Sequence, residues 1–453
     1  MVINMNESYW QTTTKHTKEK RLDKNLSVDI AIIGGGMTGV SIAYALKESG
    51  MSIAVLEKDE LGSHTSGHTT AKVTTLHGLN YLNIKENYDI HQAYLYYKSN
   101  DEALKEIKDI IDKENIACDW QENTSYIYTN DTSFQQDIQS QQEIFQSLRV
   151  PFVKDEQYLE SMGLEKQGIF HPLKYLYGLR QACQDVQFYE HSQVIHLERK
   201  SHLFELEVNG HHVKCHYLVH ATRYPFIRKG LYFMKLFQQR EFVDYCQGNK
   251  GKNSLLCIDQ IESHRPLKEG YLHINNQAKD WYTQDTMSLR GIPYIGKIDK
   301  YSQEYVAYGF QKWGMTLSRV AGKLISDLIL EQENPYEQLY ACHYFSLSYA
   351  KKYSQKIVNH LKRGYIMNHF DTVNKEDIKN NDGGLVREGI KLYAVYRDNN
   401  GKYYYFSPYC PHMKCIVQFN KKTKTWDCPC HQSIYDAYGK VIEGPTLYPL
   451  NKK

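Results

Sequence analysis

The chain has 453 residues, too long for one ordinary domain, so two or three domains are expected. Lys plus Arg number 55 against 52 Asp plus Glu, and a formal net charge of +3 excludes a strongly basic nucleic-acid binder. With 41% hydrophobic and 24% charged residues, the chain is a globular one that buries a core, not a disordered one.

In chain order, Met1 to Ser27 is polar and Lys-rich, without the apolar stretch of an export signal. The apolar run Ile30 to Leu46 is broken by three consecutive glycines and Thr38, and falls short of the ~20 apolar residues of a spanning helix. No transmembrane segment is expected, and a cytoplasmic location is. Val28 to Ile33 reads as a buried parallel strand, and Gly34 to Gly39 as a turn. Val40 to Ser49 reads as a helix stopped by Gly50, and Ser52 to Leu56 as a second strand ending at Glu57. This is a complete β–α–β unit. Residues 85–150 read as mostly helical. Ser201 to Val213 alternates around Asn209-Gly210 and predicts a hairpin. Tyr217 to Thr222 reads as a short strand, Thr316 to Leu330 as an amphipathic helix, and the polar stretch 331–365 as a helical connector. From about 379 onward, strands and turns predict a separate small β domain.

Gly34, Gly36 and Gly39 form G-x-G-x-x-G. A pyrophosphate lies against bare backbone there, where a Cβ would collide, and the next helix offers free N–H groups and its positive end. Glu57, 18 residues past Gly39, can accept both ribose hydroxyls of an adenosine. A glycine turn without ligand is the bland alternative, and strand, helix, second strand and terminal acid in register weigh against it. The pattern by itself permits FAD or NAD.

After Glu57 runs Gly62-Ser-His-Thr-Ser-Gly-His-Thr-Thr-Ala-Lys72. With this loop, with Ala221-Thr222 after an apolar strand, and with Gly291-Ile-Pro-Tyr-Ile-Gly296 followed by Tyr308 to Thr316, the chain resembles the D-amino-acid oxidase and glycine oxidase superfamily of FAD enzymes. The resemblance implies an α/β FAD-binding Rossmann-like domain with an inserted α+β substrate domain over residues 28–335. Its FAD-binding segments would be about 28–80, 172–225 and 290–335, and its substrate segments about 85–170 and 226–290. It implies FAD contacts from Gly34, Gly36, Gly39, Glu57, Lys58, Thr69, Thr70, Val194, Ala221, Thr222, Gly314, Met315 and Thr316. The last three open a helix whose N-terminus would face the flavin pyrimidine and stabilise the negative charge of the reduced ring.

Ten cysteines are present. Six are scattered, whereas Cys410, Cys415, Cys428 and Cys430 stand together with two histidines. Cys410-Pro-His412 and, fifteen residues on, Cys428-Pro-Cys430-His431 give C-x-H and C-x-x-H, the arithmetic of a metal site; a Cys2His2 zinc site is one reading. The segment also resembles the Rieske iron–sulfur family. That resemblance implies a small all-β domain at 379–453, after a helical connector at 336–378, holding a 2Fe-2S cluster on Cys410, His412, Cys428 and His431. It further implies a disulfide between Cys415 and Cys430, and hydroxyl hydrogen bonds to the cluster sulfurs from Ser433 and Tyr435. Gly444-Pro445 would be the covering loop. Gln432 stands where the family usually has Gly.

Flavins take two electrons and Rieske centres carry one, so the chain reads as a relay. The expected function is oxidation of an amine or amino-acid-like small molecule by FAD, with electrons passing singly through the cluster to or from a partner protein or quinone-like acceptor. A dehydrogenase is expected more than an oxidase. A non-catalytic redox sensor or electron-transfer module is the alternative. No second nucleotide fingerprint points to NADH, and no mononuclear iron domain of an oxygenase is expected after His431. Candidate residues near the flavin are Lys72, Tyr294, Lys312 and Trp313, with Arg265 as a fork for a substrate carboxylate. His64, His68 and His77 read as polar loop residues.

Overall fold

The computed structural model describes residues 7–453 except 201, 226–229, 231, 233–234, 249, 343–357, 359–361, 363–364 and 366. They form two compact units: Met1–Arg223 with Gln239–Ser346, and Tyr224–Gln238 with Leu347–Lys453.

The first unit holds two eight-stranded sheets. In the first, Leu26–Ile33 lies parallel between Ile53–Leu56 and His211–His220. Its last four residues are buried, as a strand covered on both faces must be. Gln187–Tyr189 and Glu304–Tyr308 extend the parallel ladder, and Tyr294–Lys297 closes one edge antiparallel. The helix Met37–Leu46 packs along the helix Gly314–Ile329, so closely that a Cβ on Gly322 would stand 2.8 Å from the Ser41 carbonyl oxygen. The second sheet runs Trp281–Ser288, Leu236–Cys246, Gly270–Ile274, Ser263–Leu267, Ser254–Cys257, Gln121–Thr129, Glu160–Ile169 and Lys72–Val73.

The second unit has a three-stranded antiparallel sheet, Asp382–Glu388, Lys391–Arg397 and Tyr403–Phe406. A second antiparallel sheet follows, from Gln418–Asn420 through Thr425–Asp427 and Ile434–Asp436 to Val441–Glu443. Trp426, Tyr435, Phe406 and Val417 form its core together with the cysteines of the metal motif.

Four expectations need correction. Within 85–150 the strand Gln121–Thr129 separates the helices Ile90–Lys113 and Thr132–Ser147. Its first half is polar, and a strand at the centre of a sheet is held by ladder bonds that composition does not reveal. The strand at 217–222 is longer, His211–His220, because it pairs on one side with Leu203–Val208. The arm before residue 28 belongs to the first unit, anchored by the buried Trp10. The described residues up to Gln238, assigned above to the substrate segment starting at 226, group with the second unit. About half of the connector at 336–378 lies outside the described residues; within it are the short helix Glu337–Tyr340 and two 3-10 turns, Met367–His369 and Lys375–Asp377.

Candidate cofactor sites

The glycine turn is a cradle built by close backbone approach. Gly34 has φ +108°, and a Cβ there would lie 2.7 Å from the Ala221 carbonyl oxygen. A Cβ on Gly39 would lie 1.9 Å from the Gly34 carbonyl oxygen. Gly36 caps the helix Met37–Leu46, whose first N–H groups have no intrahelical acceptor. The Met37 N–H donates to Ser66 Oγ at 2.9 Å, so the Ser/Thr-rich loop reaches that helix start. Glu57 is buried and accepts the N–H groups of Gly35 at 2.7 Å and Asp59 at 3.0 Å. These two bonds fix the carboxylate at the strand end and leave lone pairs for ribose hydroxyls. The backbone fold and donor set therefore fit a dinucleotide.

The other flavin candidates divide. Ala221 donates its N–H to the Ile33 carbonyl at 2.9 Å, at the cradle. Thr69 accepts the Ala71 N–H at 3.0 Å, within the loop. Thr70 lies half-buried beside it. Lys58 is half-buried, its Nζ 3.2 Å from Asp59. Val194 is buried and pairs with Val208. Gly314, Met315 and Thr316 open the helix Gly314–Ile329 after two left-handed residues, Gln311 and Lys312, at φ +55° and +73°. The Thr316 hydroxyl donates to Asn100 Oδ1 at 2.9 Å, so the side chain serves the core. Trp313 stacks on His77 with ring centroids 4.7 Å apart. His77 is thus a buried packing residue within its loop; its pKa is pushed down to about 3 by burial.

Lys72 and Arg265 come together on the second sheet. Lys72 Nζ donates to the Leu255 carbonyl at 2.7 Å and to Ser263 Oγ at 2.6 Å. Burial, with the Arg265 charge, pushes its pKa down to about 7. Arg265 is buried, donates to the Phe170 carbonyl at 2.7 Å, and stands over the Trp10 ring at 4.6 Å. Tyr294 lies buried under the Arg290 guanidinium, 4.0 Å from its ring centroid. Sequence reasoning missed a charged group around Lys312: Lys312 is paired with Glu241, and Arg223 and Asp285 lie within electrostatic reach. Burial pushes the Asp285 carboxyl up to about 6. These residues come from separate segments, and no local motif marks them.

In the second unit the two ligand loops share one backbone design. The Cys410 N–H donates to the Cys415 carbonyl at 2.8 Å, and the Cys428 N–H to the Ser433 carbonyl at 2.9 Å. The fifth residue of each loop is left-handed, Lys414 at φ +60° and Gln432 at φ +52°. Gln432 therefore takes the turn that its family position calls for. A disulfide joins Cys415 to Cys430, one residue from each loop. The rings of His412 and His431 stand 5.1 Å apart, nearly perpendicular, with both Nδ1 atoms out of solvent. The thiol of Cys428 and the Tyr435 hydroxyl, 3.0 Å away, both hydrogen-bond Cys410 and hold its pKa below that of a free thiol. Two soft sulfurs beside two imidazoles fit a mixed Cys/His iron–sulfur centre. The Thr446 N–H, just after Gly444-Pro445, donates to Ser433 Oγ at 3.2 Å.

Comparison with known proteins agrees with this geometry. Residues 29–236 match the DAO family, FAD dependent oxidoreductases, and residues 368–452 match the Rieske [2Fe-2S] domain. FAD, not NAD, and a Rieske cluster, not zinc, are thus the cofactors. YhfW of Bacillus subtilis (strain 168), whose name describes a Rieske 2Fe-2S iron-sulfur protein, is 30% identical over 98% of this chain and 97% of its own. The gamma-glutamylputrescine oxidoreductase of Escherichia coli (strain K12) is 24% identical over 29% of this chain and 31% of its own. The crystal structure of glycine oxidase from Geobacillus kaustophilus covers 71% of this chain with all of its own, at a TM-score of 0.60 and 15% identity, a likeness of fold. The chain belongs to the FAD-dependent oxidoreductases of the DAO family that carry a C-terminal Rieske domain. Among the described residues no helix is long and apolar enough to cross a membrane.

Proposed function

We propose that this chain is a cytoplasmic dehydrogenase for an amine or amino-acid-like substrate, with electrons passing one at a time through the Rieske centre to a separate protein or quinone-like acceptor. The observation that carries the reading is the pairing, in one chain, of a cradle for a two-electron carrier with a ligand set for a one-electron carrier. Bound FAD would supply hydride acceptance, and the cluster single-electron transfer. The balance is an amine losing two electrons and two protons to become an imine, and two equivalents of a one-electron acceptor reduced. The activities for which glycine oxidase and gamma-glutamylputrescine oxidoreductase are named support a C–N bond as the site of oxidation.

In this reading Gly34, Gly36, Gly39 and Ser66 hold the pyrophosphate, and Glu57 the ribose. Lys58, Thr69, Thr70, Val194, Ala221 and Thr222 complete the nucleotide site, and Gly314, Met315 and Thr316 present a helix start to the flavin. Cys410, His412, Cys428 and His431 hold the irons. Lys72 is a half-buried amine of lowered basicity, Tyr294 a wall, and Arg265 a fixed positive charge rather than a mobile clamp, since its guanidinium is engaged by Phe170 and Trp10.

Anaerobic mixing of the holoprotein with a panel of amines and amino acids tests the proposal. The expected result is bleaching of the flavin followed by the EPR signal of the reduced cluster. If no member of a broad panel bleaches the flavin, the substrate class is wrong.

A further inference from the structure

We propose that Tyr224 is a positioning residue for the iron–sulfur cluster: its ring seats the imidazoles of His412 and His431 and keeps water away from the iron they hold. Tyr224 is buried, and its ring centroid lies 5.7 Å from that of His431 and 6.4 Å from that of His412. The three rings form one aromatic cluster, since the two imidazoles also meet edge to face. Tyr224 does not come from the C-terminal sequence that carries the ligands. It follows the strand His211–His220 and is grouped with the second unit. The residues matched to the Rieske domain, 368–452, therefore lack one wall of their own cluster site.

The consequence is electrostatic. Reduction adds one negative charge to the cluster, and burial among uncharged groups disfavours added charge. A tyrosine side chain is uncharged at neutral pH. A neutral ring in place of water holds the potential down. Tyr435 acts in the opposite direction, because its hydroxyl hydrogen bond to Cys410 favours the more negative, reduced state. The two tyrosines set the potential from opposite sides. The inference rests on the cluster and not on the substrate reading.

The test is an EPR-monitored redox titration of the full-length holoprotein, with cluster loss to a chelator followed in parallel. For Tyr224→Ala the midpoint is expected to rise, the g values to move, and cluster loss to quicken several-fold, at unchanged flavin content. Tyr224→Phe keeps the ring and is expected to match the wild type in all three. Wild-type midpoint and g values in Tyr224→Ala overturn the proposal. So does a Tyr224→Phe shift as large as that of Tyr224→Ala, because the hydroxyl rather than the ring would then be the active part. Should Tyr224→Ala also lose flavin, Tyr224→Val is read by the same criteria, and an unchanged midpoint and g values there overturn the proposal equally.

Discussion

The indole N–H of Trp10 donates to the carbonyl of Thr69 at 2.6 Å, across 59 residues of sequence. Around it the Ser8 hydroxyl bonds the Gly67 carbonyl, and the Gln11 amide donates to the Ser63 carbonyl at 3.2 Å. The N-terminal arm thus fastens the loop that carries Ser66, Thr69 and Thr70. Trp10→Ala removes a buried ring, its bond to Thr69 and the face under Arg265, at a cost of about 3–5 kcal/mol. The variant is expected to melt at lower temperature and to release FAD faster. Thermal unfolding followed by flavin fluorescence measures both, and an unchanged release rate would refute the fastening role.

Gly39→Ala would place a carbon 1.9 Å from the Gly34 oxygen, nearer than any contact can stand. The obstacle is backbone, so no side chain can turn aside to relieve it. The glycine turn must open, and FAD affinity should fall by roughly tenfold or more, about 1.4 kcal/mol per factor of ten. Equilibrium dialysis of the apoprotein with FAD checks this; wild-type affinity would show that the cradle is not the pyrophosphate site.

Tyr435→Phe deletes the hydroxyl that lies 3.0 Å from Cys410 Sγ. The bond is stronger to the reduced cluster, so its loss should lower the midpoint, on the order of 60 mV if the difference is about 1.4 kcal/mol for one electron. The direction is opposite to that expected of Tyr224→Ala. A protein-film voltammogram gives the sign directly, and a rise would contradict the assignment.

Lys72 gives stability a pH dependence. Burial lowers its pKa from 10.5 to about 7 in the folded chain. Between these values the unfolded chain holds a proton that the folded chain does not, so stability rises with pH across this window. Below about pH 7 both states are protonated and the penalty of a buried ammonium is felt in full. Lys72→Met should flatten the profile. Urea midpoints at pH 7, 8 and 9 for both proteins decide it; parallel profiles would mean that Lys72 keeps an ordinary basicity.

Much of the cofactor chemistry was legible locally, because it depends on near neighbours. G-x-G-x-x-G with Glu57 names a cradle, since bare backbone and a terminal acid must fall a fixed distance apart along a strand, a turn and a helix. The two Cys/His loops are equally local, and Gln432 takes the left-handed turn at the position where the family usually has Gly. The strand Gln121–Thr129 was not legible, because its polar first half is held by neighbours from distant sequence.

The sequence by itself determined the two carriers and offered the residues to hold them: short segments whose chemistry is complete within a few dozen residues. Only the tertiary structure decided what surrounds them. It fastened an N-terminal arm onto the flavin loop through Trp10, engaged Arg265 against Phe170, and brought Tyr224 to the imidazoles of His412 and His431. The reason is physical: packing and burial are made between residues far apart in the chain, and nothing in the spacing of a local motif records which distant side chain will cover it.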